Sequence, residues 1–265
     1  MAKKAPTTEY SIDDEKRARF CRLCDEAMLS RRSEGDGGFG TLAEKRMHAI
    51  IKRYLCPNED FHEVGLDGTR FIADIRIGNK IYEVQTGAFY PMRKKIAYYM
   101  EQTDCTVTVV HPIVLNKWVS WVDPITNEIL PRQRSPKHER PENLLDELYS
   151  LLPYVGNDRL RFRLLLIEAL DFRLLNGRSR DRKRGSERYE RIPISLLGEL
   201  EFCSPEDFRR FIPQDLPSPF TVKDFSKYTK IRGRAAYSAV RVLASLGLLS
   251  PADPIGRAMA FSKTF

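Results

Sequence analysis

Residues 71–87 read FIADIRIGNKIYEVQTG, and their pattern sets the fold class. Ile72, Ile75, Ile77, Ile81, Tyr82 and Val84 are the β-branched and aromatic residues that suit a pleated, buried surface. Gly78-Asn79 is a two-residue turn signal, because both residues tolerate positive φ. The stretch is therefore expected to be two short strands joined by a tight turn. Asp74 sits in the first strand and Glu83 in the second. Acids inside apolar strands are costly unless a cation offsets their desolvation.

Working outward, Phe61 to Leu66 reads as a strand before the hairpin. A helix is expected from about Pro91 to Gln102, with Pro91 in its first turn. Thr106 to Val110 is a near-continuous β-branched run, as expected of a buried strand. Ahead of the hairpin, Thr41 opens a helix through Leu55 with Leu42, Met47, Ile50, Ile51 and Tyr54 as its apolar stripe. Glu44 stands three residues after Thr41, so it is either the acid of a capping box or a group aimed at the hairpin acids. Helix, three strands, helix, strand is the order of an α/β core with a mixed sheet.

Ile12 to Arg32 reads as a further helix with acids at its start and arginines at its end. Its Cys21 and Cys24 lie one turn apart, but no second ligand pair follows at zinc spacing, which favours two ordinary cysteines. Residues 33–40, SEGDGGFG, form a glycine-dense loop without the Lys-Ser/Thr of a phosphate loop. The five cysteines are odd in number and scattered, which points to reduced thiols in a cytoplasm rather than disulfides. No membrane span and no secretory signal is expected.

Beyond the core, Ile113 to Glu128 reads as a second hairpin turning near Pro124. Residues 130–140 read as a basic linker and 142–152 as a short amphipathic helix; 160–175 fits either a strand or a helix, and strand is favoured. Residues 177–191, GRSRDRKRGSERYER, form a dense basic loop: either a solvated insertion or a phosphate-contacting arm that includes Arg182, Lys183 and Arg184. A short helix capped by Ser204, a second from Val222 to Tyr228 capped by Thr221, a third from Arg232 to Leu246 ended by Gly247, and a two-stranded tail follow. Three helices and a hairpin are the winged helix-turn-helix plan, in which the third helix enters the major groove. Arg232, Arg234, Tyr237, Ser238 and Arg241 are then the expected DNA-facing residues. The same plan also serves as a protein-docking module.

The net charge of +8 is unevenly spread. Residues 151–265 hold 21 basic and 13 acidic residues, whereas residues 1–150 hold 23 of each. A neutral first half and a basic second half is the asymmetry of a chain that holds nucleic acid at one end, or of one kept soluble by a basic surface.

An acidic helix residue, an Asp in a strand, and Glu-x-Lys across a hairpin, followed by a helix and a strand, is the pattern of the PD-(D/E)XK nuclease superfamily. Over residues 38–112 this chain resembles it, with Glu44, Asp74, Glu83 and Gln85 at the matching positions. The whole chain resembles bacterial proteins that join such a core to a C-terminal winged helix. The resemblance implies a restriction-endonuclease-like mixed sheet, hydrolysis of DNA phosphodiesters, and Mg²⁺ or Mn²⁺ held by Asp74 and Glu83. It implies that Glu44 assists and Gln85 positions water, and that the protein is compatible with a homodimer. Two residues depart from it. Ala73 replaces the usual proline. Gln85 replaces the lysine that would stabilise developing phosphorane charge, and a glutamine cannot act as a base at neutral pH. Lys94, Lys95, Lys45 and Lys52 are candidate substitutes. The implied parts are residues 1–37 (tail and helix), 38–128 (nuclease-like core), 129–203 (connection) and 204–265 (winged helix). Two other readings stand beside the metal site: acids bonded to Arg70, Arg76 or backbone amides, and a nuclease fold kept as the scaffold of an inactive DNA-binding regulator.

Overall fold

The computed structural model describes residues 10, 12–33, 43–66, 68–177 and 185–265, without the side chains of residues 31–33 and 43–45. Its class is α/β. The helices are α1 (Asp14–Ser33), α2 (Ala43–Leu55), α3 (Arg93–Gln102), α4 (Leu144–Leu148), α5 (Val222–Thr229) and α6 (Arg234–Ser245). The strands are β1 (His62–Gly65), β2 (Ile72–Ile77), β3 (Lys80–Val84), β4 (Thr106–Val122), β5 (Gln133–Arg134), β6 (Leu160–Leu174), β7 (Glu187–Phe202), β8 (Phe220–Thr221), β9 (Leu249–Ile255) and β10 (Ala258–Lys263). A seven-stranded sheet has the order β1-β2-β3-β4-β6-β7, with β5 on β4, and a three-stranded sheet has the order β8-β10-β9. The large sheet is mixed: β1, β2 and β3 are antiparallel, and β3 is parallel to β4. That parallel step follows from α3, the crossover between β3 and β4. Among the described residues no helix is long and apolar enough to cross a membrane.

The chain divides into two compact units. One comprises residues 1–60, 112–139 and 164–200; the other comprises residues 61–111, 140–163 and 201–265. The long strands β4 and β6 each run from one unit into the other.

The first unit packs α1 on α2, with Phe20 edge-on to Tyr54 at 5.2 Å between ring centroids. Tyr54 donates to Glu199 on β7 (2.7 Å), and Lys16 pairs with the same carboxylate. Buried Asp171 is held by Arg191 at 2.5 and 3.1 Å and lies 3.7 Å from Lys117. Burial draws Lys117 below its usual pKa against the pull of Asp171. Cys24 is buried, which pushes its thiol well above the usual range and suits an ordinary core cysteine rather than a metal ligand.

The second unit builds its core on Ile75, Ile81, Ile96, Val107 and Val109 and on a cluster of Phe162, Phe202, Phe208 and Phe211. The hairpin turns at Gly78, with φ +59° as the tight turn requires. Helix α5 opens with a complete capping box: Asp224 accepts from the Thr221 amide (2.9 Å) and hydroxyl (2.7 Å), and Thr221 accepts from the Asp224 amide. Gly247 at φ +75° closes α6, its amide bonded to Ala244 and that of Leu248 to Leu243.

Three expectations need correction. Thr106–Val110 and Ile113–Val122 form one strand that runs through Pro112, because proline's fixed φ suits extended backbone and only one amide is lost. The turn after it is held by Asp123, which accepts from Ile125 and Thr126. Residues 187–191 of the expected basic loop begin β7. Pro205–Phe211 is a 3₁₀ helix, with Asp207 accepting from the Cys203 and Ser204 amides.

Candidate functional site

The hairpin sets the geometry in the second unit. Ile75 faces Tyr82 across the β2–β3 ladder, and the next pair in that register is Asp74 with Glu83, on one face of the sheet. Sequence reasoning missed a third acid. His62 pairs with Ile75 and Val64 with Ala73, so Glu63 lies between these pairs opposite Asp74. The carboxylate oxygens of Glu63 and Asp74 come within 4.8 Å of each other. Three adjacent strands therefore each bring one acid to the same level. Like charges directly opposite across a ladder are destabilising, so this row favours a cation. Glu63 also has φ +53°, a conformation that costs a non-glycine residue energy and that clusters at functional sites.

Each acid has a different environment. Asp74 is half-buried and accepts a hydrogen bond from the Val84 amide at 2.7 Å, which ties β2 to β3. Glu63 is exposed. Glu83 is 4% exposed and is held by two groups on α3: Lys95 donates to Oε2 at 2.5 Å and the Tyr99 hydroxyl donates to Oε1 at 2.7 Å. Lys95 and Tyr99 are four apart on the helix, so one helix face supplies both donors. Burial pushes the Glu83 carboxyl up to about 7; Lys95 opposes this and the Asp74 charge adds to it. The buried Tyr99 phenol is pushed above its usual range by burial and by Glu83.

Gln85 does not face the row as the matching lysine would. Its side chain donates to the Ala88 carbonyl at 2.6 Å, and its own carbonyl lies 2.5 Å from His111 Nδ1. Of the candidate substitutes, Lys95 meets an acid of the row. Lys94 is exposed, Lys52 is buried on α2, and the side chain of Lys45 is outside those described. Glu44 falls in the first turn of α2, and its side chain is likewise outside those described. Neither Asp74 nor Glu83 has an ion pair to Arg70 or Arg76 among the described residues.

The profile of a domain of unknown function, DUF8091, matches residues 45–203, more than half of the chain. The chain belongs to this family. The DUF8091 match takes in β1, β2, β3 and α3, and with them Glu63, Asp74, Glu83, Lys95 and Tyr99. It ends before β8, α5, α6 and the β9–β10 hairpin, which lie outside the matched segment. No curated protein matches the chain, and no solved structure matches it.

Of the residues expected to face DNA, Arg232, Arg234, Tyr237 and Arg241 are exposed at the start and along one side of α6. Ser238 is 1% exposed on a flank of a helix that α4 packs against, which removes it from that set. Arg182, Lys183 and Arg184 lie outside the described residues.

Proposed function

We propose that this DUF8091 protein is a metal-dependent DNA nuclease of the PD-(D/E)XK type, working in a reduced cytoplasm. The observation that carries the reading is the acidic row of Glu63, Asp74 and Glu83, with Lys95 bonded to its most buried member. The carboxylates of Glu63, Asp74 and Glu83 are hard oxygen donors, which suit Mg²⁺ or Mn²⁺. Asp74 and Glu83 would hold the ion, with Glu63 beside them. A bound divalent ion would polarise the phosphodiester and lower the pKa of an attacking water. Lys95 supplies the positive charge that Gln85 lacks and neutralises Glu83 in the absence of an ion. Tyr99 fixes the orientation of the Glu83 carboxyl. Arg232, Arg234, Tyr237 and Arg241 on the winged-helix-like C-terminal segment would hold the duplex.

A second reading, an inactive DNA-binding regulator built on the nuclease scaffold, is favoured by one observation: both Glu83 oxygens are already occupied by protein donors. One experiment separates the two. Purified protein is incubated with Mn²⁺ and linear, branched or single-stranded DNA. The nuclease reading expects cleavage of at least one form, abolished by Asp74→Ala. Salt-sensitive DNA binding with all three left intact supports the scaffold reading.

A further inference from the structure

Side chains alternate across a strand, so Lys80 and Tyr82 leave β3 on the face opposite Ile81 and Glu83. In the parallel ladder Lys80 stands beside Thr106 and Tyr82 beside Thr108. Arg161 and Arg163, two apart on β6, join them around a cavity of about 300 Å³, closed by Glu201 and Cys203 at the end of β7. Three cations and three hydroxyls thus face one carboxylate. Glu201 is already engaged, accepting from Arg163 Nη2 at 2.6 Å. Among the described residues, Lys80 and Arg161 have no acidic partner, and the buried Nε of Arg163 has no hydrogen-bond acceptor.

We propose that this cavity binds the phosphate group of a nucleotide-sized ligand. Guanidinium forks match phosphate oxygens, and three cations with three hydroxyls suit a multiply charged oxyanion better than a single carboxylate. The volume sits at the lower end of small-molecule sites, enough for one nucleotide unit. Free nucleotide and the terminus of a nucleic-acid strand share this chemistry. The site lies on the other face of the strand from the acidic row and does not depend on that row holding a cation.

Cys203 provides the readout, because it is exposed and lines the cavity, whereas Cys24, Cys56 and Cys105 are buried and Cys21 is half-buried. Alkylation of Cys203 by iodoacetamide is followed by peptide mass spectrometry in the presence of pyrophosphate, adenosine 5′-monophosphate or a 5′-phosphorylated oligonucleotide. At least one is expected to slow labelling saturably, with sodium chloride at equal ionic strength having no such effect. Protection by pyrophosphate or the monophosphate assigns a free ligand; protection by the oligonucleotide alone assigns a strand end. Arg161→Ala and Lys80→Gln, both at exposed positions, are each expected to raise the half-protecting concentration about tenfold or more. Labelling unaffected by all three phosphates, slowed equally by chloride, or slowed in both variants as in the parent protein overturns the proposal.

Discussion

Glu83 carries a proton into the neutral range because burial outweighs the attraction of Lys95. Its carboxyl rises from an ordinary 4.5 to about 7, so between these values the folded chain binds a proton that the unfolded chain has released. Stability is therefore expected to fall as pH rises from about 4.5 to 7, by on the order of 3 kcal/mol at about 1.4 kcal/mol per pH unit. Below 4.5 the contribution is complete, and above 7 it is gone. Denaturant titrations across this range are expected to show that slope in the parent protein and to lose it in Glu83→Gln. Lys95→Ala removes the charge that holds the Glu83 carboxyl down, so its titration moves further up. Mn²⁺-dependent cleavage is expected to drop about a hundredfold, comparable to loss of one preorganised charge-stabilising group. An unchanged rate would remove Lys95 from the site. Asp74 and Glu83 were legible as acids set among β-branched residues. Glu63, Lys95 and Tyr99 were not, because they reach the row only through the β1–β2 register and the packing of α3, neither of which a linear pattern encodes.

At the scale of elements, local chemistry decides what could be read. The hairpin, α2, α3, α5 and α6 carry their own turns, caps and stripes, and their observed bounds lie within a few residues of those expected. The two strands that differ are long and carry breakers: Pro112 lies inside β4, while Pro193 and Gly198 lie inside β7. Their extended form depends on neighbouring strands in the sheet and not on propensity. Where local chemistry does decide, a single cap residue matters. Asp224 in α5 is held below the usual carboxylate range, first by the Thr221 hydroxyl and then by the Thr221 amide. The stability it contributes is present above its unfolded pKa and is lost as pH falls through the lower folded value. Asp224→Ala is expected to cost about 0.5–1 kcal/mol, the order of an acidic side chain lost from a helix N-terminus. The loss should read as a lower denaturation midpoint at pH 7 that narrows in strong acid; a parent-like midpoint would mean that α5 does not rely on its cap.

For the whole molecule, the basic excess of the second half has a structural outlet in the exposed arginines of α6. Charge asymmetry was legible from composition, but the division into compact units was not, since it depends on where β4 and β6 carry the chain. If α6 holds DNA through phosphates, binding is governed by counterion release and must weaken as salt rises. Arg234→Ala and Arg241→Ala are each expected to lower the slope of log affinity against log salt by about 1. Tyr237→Ala removes no cationic group and should leave the slope unchanged. Asp74→Ala should also leave it unchanged while removing cleavage, which separates holding the duplex from cutting it. Fluorescence anisotropy with a labelled duplex, titrated at several salt concentrations, measures all four variants. Affinity indifferent to salt, or slopes in both arginine variants equal to that of the parent protein, would assign the exposed face of α6 to docking a protein instead of DNA. The acidic row of β1, β2 and β3 would then need another route to its phosphodiester.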